Sequence, residues 1–195
     1  FNLKAEESAH VADVFAKAAV LGTLSVTDMG ESFKYVGAVA GNMANQSIES
    51  VSAALAALSN NGIKGSQAGT VLRSSLAKLS APNKNAAAAI KELGLKTLDA
   101  SGNLLPLSNI VEQFRVKTEK MGDAQKNAYA KMLVGQEAMT GFIALAKTGG
   151  AELDKMTNEL IDSKGAAEAM AKIKMSGLAG AWELMTGAID GVVIA

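Results

Sequence analysis

The sequence predicts an all-α fold: a compact multi-helix domain with one small β-hairpin at about residues 95–107 and a C-terminal amphipathic helix. Three observations predict it. Hydrophobic residues make up 49% of the chain but aromatics only 4%, and much of the apolar content is Ala. Alanine is the strongest helix former, whereas sheets draw on aromatic and β-branched residues. Apolar residues recur three and four positions apart along most of the chain. The breaks between these stripes are Gly, Asn and Ser, and the two prolines, Pro82 and Pro106, fall where the pattern already stops. At 195 residues the chain is long enough to hide roughly 70% of its unfolded surface. A core of Ala, Leu, Val and Met is thin, so its helices must approach closely.

The elements follow in order. A first helix is expected at about Glu6 to Leu21, with Val11, Val14, Phe15, Ala18 and Ala19 on one face and Gly22 just past its end. Ser25, with Asp28 three residues later, reads as an N-cap and an acidic first turn. Met29, Phe33, Val36 and Ala40 form the stripe of that second helix. Ser47 opens a third, striped by Ile48, Val51, Leu55 and Leu58, and Asn60-Asn61-Gly62 ends it. Gly62 suits the position after a helix, Gly65 belongs to the connecting turn, and Ser66 is expected to cap the fourth helix. That helix buries Ala68, Val71, Leu72, Leu76 and Leu79 and stops before Pro82. Asn83 caps a short helix that Gly94 ends.

From Leu95 to Leu107 the period changes. Leu95, Thr97 and Leu98, then Asp99 to Asn103, then Leu104 and Leu105 read as the hairpin, which must lean on helices because a lone hairpin is marginal in water. Ser108 reopens the helical pattern through Ile110, Val111, Phe114 and Val116. Met121-Gly122-Asp123 is a break and cap, after which Ala124–Val134 and Gln136–Lys147 are two helices hinged at Gly135. Gly149-Gly150 breaks the chain before a helix carrying Leu153, Met156, Leu160 and Ile161.

The chain is therefore divided into a helical core, residues 1–164, and a C-terminal amphipathic helix, residues 165–195. In the latter, Met175, Leu178, Trp182, Met185, Ile189 and Val192 are spaced 3, 4, 3, 4 and 3 apart, the a/d seam of a heptad pattern for about three repeats. Gly177, Gly180, Gly187 and Gly191 weaken it as an isolated helix but permit close packing against the core or another copy.

Composition narrows the chemistry. Nineteen Lys plus Arg balance 19 Asp plus Glu, so there is no electrostatic drive toward nucleic acid and little repulsion between copies. Cys is absent, so there is neither a disulfide framework nor a thiolate metal site. The chain begins at Phe1 without a signal-peptide pattern, and its start reads as a boundary inside something longer. No uncharged apolar run reaches the ~20 residues of a membrane span. The single histidine, His10, shares a helix face with Glu6 and Asp13, but one His without further ligands is no zinc site. Glu152 with Glu159, and Glu183 with Asp190, are carboxylate pairs without aromatic subsites. Gly62 to Ser66 lacks the order of a phosphate loop and follows no strand. Catalytic, metal and cofactor sites are all expected to be absent, and the methionines read as core filling.

Several blocks resemble the core region of phage tail tape measure proteins, from about residue 10 to about residue 175. They are Val14–Ala19, Ser25–Val36, and Asn60–Arg73 followed by Leu76, Leu79 and Pro82. Glu92–Leu95, Asp99–Gly102, Pro106-Leu107, Gly135–Ala138 with Gly141, and Gly165–Ala171 complete the series. The chain departs at Val134-Gly135-Gln136, where Phe-Gly is expected, and at Lys147-Thr148-Gly149, where a more acidic linker is expected. The resemblance implies a non-enzymatic protein of the virion tail lumen, present in the bacterial cytoplasm during assembly. It would set tail length and scaffold the tube, with other copies, tail tube proteins and tail assembly chaperones as partners. Two alternatives remain: a membrane-active or channel-forming segment used in genome ejection, and part of a cell-wall hydrolase. A ruler is best served by an extended helix, and this region is broken too often by Gly, Asn and Pro to read as one, so an assembly hub is also open.

Overall fold

The computed structural model describes residues 7–42, 44 and 46–177. Its helices are α1 (Ser8–Leu21), α2 (Val26–Asn42), α3 (Ile48–Asn60), α4 (Gly65–Ser80), α5 (Lys84–Leu93), α6 (Leu107–Lys117), α7 (Asp123–Val134), α8 (Gln136–Thr148) and α9 (Gly150–Ile161). A further helical run, α10, covers 166–177.

The architecture is organised around α3. Its Ser-Ala-Ala-Leu-Ala-Ala-Leu-Ser stretch, residues 52–59, is buried on every side, not only along the stripe that periodicity marks. Alanine makes this possible, because a methyl-sized side chain lets neighbouring helix axes come near the short end of the usual 8–10 Å range. Helices α1, α2, α4, α8 and α9 all pack on α3. Ser47 caps it as expected, its Oγ accepting the Ser50 N–H at 3.1 Å. At the other end Gly62 takes a left-handed φ of 81°. The Ile63 N–H then reaches back to Leu58 O at 3.1 Å and Gly62 N–H to Ser59 O at 2.9 Å. This pair closes the helix and buries Ile63 beneath it.

Helix α2 lies against α4 at backbone contact. A Cβ on Gly69 would run into the carbonyl oxygen and Cα of Ser32, so only glycine fits. Ser32 Oγ donates within 2.8 Å of both Asp28 O, on its own helix, and Gly65 O, at the head of α4. The Ser25–Asp28 cap of α2 is reciprocal: Asp28 N–H donates to Ser25 Oγ at 3.0 Å, and Ser25 N–H donates to Asp28 Oδ2 at 2.8 Å. The scarce aromatics form two pairs, Phe15 with Phe33 between α1 and α2, and Phe114 edge-on to Phe142 between α6 and α8 at a centroid distance of 5.2 Å.

Four expectations need correction. The hairpin at 95–107 does not form: among the described residues there is no strand, only an isolated antiparallel bridge between Leu98 and Leu104. The alternation was real, since Leu95, Thr97 and Leu104 are buried and Lys96 is exposed. Two backbone bonds join the arms, Leu105 N–H to Thr97 O and Asp99 N–H to Asn103 O, both at 2.8 Å, and glutamines take the backbone groups on either side. Gln113 accepts the Lys96 N–H at 2.8 Å and donates to Lys96 O at 2.9 Å. Gln46 accepts the Leu107 N–H at 3.1 Å. Ser66 is not a cap, because α4 starts one residue earlier with Lys64 in the capping position and no side-chain bond. Val116 and Ile161 are not core residues; they are 52% and 60% exposed, each on the outer face of its helix. Asp123 lies inside the first turn of α7, and Gly122 precedes it at the cap.

Gly69 and Gly30 give a paired test. Gly30 also sits in a helix, but a Cβ there meets nothing within 4 Å. Gly30→Ala should raise the thermal unfolding midpoint, since Ala is favoured over Gly in a helix by about 1 kcal/mol. Gly69→Ala gains the same propensity but forces backbone apart at about 1–3 kcal/mol, so its midpoint should fall. Thermal denaturation of the two variants beside the parent chain checks both signs.

Candidate interaction surface

The residues singled out from sequence fall in two places. Gly62, Gly65 and Ser66 form the α3–α4 connection, where both glycines have positive φ and Gly65 O receives the Ser32 hydroxyl from α2. Met175 lies on α10 and is 72% exposed, as is Ile173. Leu178, Trp182, Met185, Ile189 and Val192 lie outside the described residues.

Helix α10 is tied to the core at its first turn. Asp13 on α1 accepts the Gly165 N–H with Oδ2 and the Ala167 N–H with Oδ1, both at 2.9 Å. A carboxylate at a helix N-terminus satisfies otherwise orphaned donors and suits the helix dipole. Those two backbone bonds, Ala167 first, hold the Asp13 carboxyl below its ordinary pKa. Ala166, Ala167 and Met170 are half-buried, whereas every residue over 171–177 is exposed. The described part of α10 therefore leaves the core after little more than one turn.

His10 and Asp13 share a face of α1, as their spacing requires, but they serve different partners. His10 Nε2 lies 2.7 Å from Glu49 Oε1, at the start of α3. Burial pushes Glu49 up, yet hydrogen bonds from His10, its own backbone N–H and Ser47 outweigh that and leave its pKa lowered. Glu6 lies outside the described residues. Among the described residues no group of three or more His, Asp or Glu side chains is placed to hold a metal ion.

Glu152 and Glu159 do line one cleft, of about 190 Å³, with Leu21, Asn60, Lys155 and Met156. Lys155 Nζ is 3.6 Å from Glu152, and no aromatic ring stands in this cleft to bind a sugar. A larger cleft of about 450 Å³ separates Gln46, Ser47 and Ser50 from Asp99, Asn103 and Asp154. Of Glu183 and Asp190 nothing is described. No single helix among the described residues is long and apolar enough to cross a membrane; α1 and α2 together reach that length and composition but bend by 113° between them.

Two acidic residues that the sequence did not mark hold helix junctions together. Glu112 on α6 takes a two-pronged bond from Arg115, at 2.9 and 2.6 Å, and also accepts the Gly150 N–H at 3.0 Å. Arg115 first, then Gly150, brings its pKa down to about 2. Glu137, in the first turn of α8, accepts its own backbone N–H, Lys78 Nζ at 3.0 Å and Ser74 Oγ at 2.8 Å, and its pKa is likewise about 2. Ordinary sequence signals could not have found these partners, since Lys78 and Glu137 are 59 positions apart.

Both carboxyls are depressed in the folded chain from 4.5 to about 2. Their contribution is complete above pH ~4.5 and is lost as pH falls toward ~2, because the unfolded chain then binds more protons. Both are partly exposed, so each effect is modest. A Glu112→Gln, Glu137→Gln double variant should therefore lose less of its melting temperature across that interval than the parent does. Thermal melts at stepped pH check this, and equal slopes would remove the two junctions from the acid response.

Residues 1–135 match the family described as phage-related minor tail protein. A tape measure protein of Pneumococcus phage Dp-1 is 40% identical over 194 residues, which covers 100% of this chain but 17% of that protein. A probable tape measure protein of Escherichia phage P2 is 34% identical over 197 residues, covering 98% of this chain and 24% of that protein. The chain thus spans a quarter or less of the length of either relative. No solved structure matches it. With residues 1–135 inside the family's bounds and both relatives aligned along the chain, the protein belongs to the phage-related minor tail protein family.

Proposed function

We propose that this chain is a structural segment of a tape measure protein, which sets tail length and scaffolds assembly of the tail tube. The observation that carries the reading is the alignment of the whole chain with two proteins of that name, at 40% and 34% identity. On this reading the chain is not an enzyme and uses no cofactor. It resides in the tail lumen after assembly in the bacterial cytoplasm, and its partners are other copies, the tube protein and assembly chaperones.

Within that role the two parts differ. Residues 1–164 form the packed module, and residues 165–195 form an arm for helix–helix contact. Exposure of Ile173 and Met175 on the first turns of the arm supports this division. The heptad seam from Met175 through Leu178, Trp182, Met185, Ile189 and Val192 is the contact, with Trp182 as its anchor and a second copy as its partner. The turn at Gly62, Gly65 and Ser66 sets the module's internal angle.

Deleting the segment in frame from its parent gene and measuring tails by electron microscopy tests the role. If all 195 residues serve as extended helical ruler, tails shorten by roughly 290 Å at 1.5 Å per residue. Absence of tails assigns the segment to assembly instead. Tails of normal length on non-infectious particles would overturn length control and favour a role in ejection. Trp182→Ala tests the seam separately. It should shift the purified chain toward monomer in sedimentation velocity, and an unchanged oligomer distribution would sink the seam.

A further inference from the structure

Helices α7, α8 and α9 are joined by single residues, Gly135 and Gly149, with φ/ψ of 88°/168° and 86°/156°. At each joint the glycine already makes both bonds of an uninterrupted helix. Gly135 N–H donates to Lys131 O at 2.9 Å and Gly135 O accepts from Met139 at 3.0 Å. Gly149 N–H donates to Leu145 O at 3.0 Å and Gly149 O accepts from Leu153 at 3.2 Å. One residue's dihedrals are all that separate each joint from a continuous helix, and those dihedrals lie in a region open essentially to glycine alone.

At each joint one of the groups set free by the bend is held by side chains from elsewhere. In a straight helix Val134 O would accept from Ala138; here it accepts from Lys78 Nζ at 3.1 Å and Ser74 Oγ at 3.2 Å. Likewise Gly150 N–H would donate to Ala146 O, and here it donates to Glu112. Part of the apolar register runs through both joints: Val134, Ala138, Leu145, Leu153, Met156 and Leu160 are buried and at 100° per residue fall within an arc of about 100° on one straight helix, while buried Ala130, Leu133, Ala144 and Ala146 fall outside it.

We propose that residues 123–161 are one helix folded twice, with Gly135 and Gly149 as hinges and Lys78, Ser74 and Glu112 as clasps. Opening both hinges turns the compact segment into a rod of about 58 Å. The stripe this exposes is covered by the same stripe of a second copy, which the chain's zero net charge does not oppose. This property belongs to the chain itself and does not depend on tail-length control.

The chain has no cysteine, so Asn127→Cys and Lys147→Cys give two unique sites for nitroxide labels. Both residues line one cleft between α7 and α8, so the folded hairpin holds them at short range. On a continuous helix they stand about 30 Å apart. Electron–electron distance measurement on the full 195-residue chain should give the short distance alone. Gly135→Ala, which removes the hinge, and Lys78→Ala, which keeps the glycine and loosens the clasp, should each add a population near 30 Å. That population should grow with protein concentration, with helicity by circular dichroism retained. Short distances alone in both variants would overturn the hinge. So would a broad distribution with lost helicity, since the segment would then unfold rather than straighten. A long distance that ignores concentration would overturn pairing between copies.

Discussion

Everything in this fold depends on one helix having no solvent face. Residues 52–59 of helix α3 are buried all round, and they can be so because half of their side chains are the methyl groups of alanine. Larger residues there would push the surrounding helices apart and open voids that a chain with 4% aromatics has no bulk to fill. The same demand for closeness recurs wherever helices cross. Gly22 lies against Ala56 and Ser59, Gly69 against Ser32, and Gly141 against Val71. Two buried hydroxyls fit the scheme by bonding back to their own helix, Ser59 to Ala56 O and Thr118 to Phe114 O.

Close packing of short helices creates many helix ends, and each end leaves backbone groups that need partners. This chain satisfies many of them with side chains from remote helices. Asp13 serves α10, Glu112 serves α9, Lys78 and Ser74 serve α7, and Gln46 serves α6. The module is thus held by apolar burial inside and by a set of cross-helix caps nearer its surface. Apart from buried Gln46 these caps are partly exposed to solvent, and two, Asp13 and Glu112, are carboxylates. The outer layer is therefore weaker than the core.

For a tail protein the arrangement has a consequence. A compact bundle and an extended rod need the same helix-forming, Ala-rich composition and the same apolar periodicity. They differ in whether a few glycine joints are bent and in what covers the apolar stripe. The bends are fixed by contacts between helices, so their strength can be altered without changing the helices themselves.

The sequence by itself determined the helices, most of their ends and the family. Ser25, Ser47 and Asn83 marked true caps, and Gly62 and Gly94 true left-handed stops, because capping is a local matter of residue type and backbone geometry. Stripe residues such as Val14, Met29 and Leu72 were legible for the same reason. Tertiary structure decided what local rules cannot reach. It buried the polar-looking faces of α3, limited the pairing within residues 95–107 to one bridge and tied the flanking backbone to Gln113 and Gln46, and left Val116 and Ile161 in solvent. It also paired Glu137 with Lys78 and Asp13 with the head of α10. Each of these joins residues far apart in the chain, and only the packing of one helix on another brings them within bonding distance.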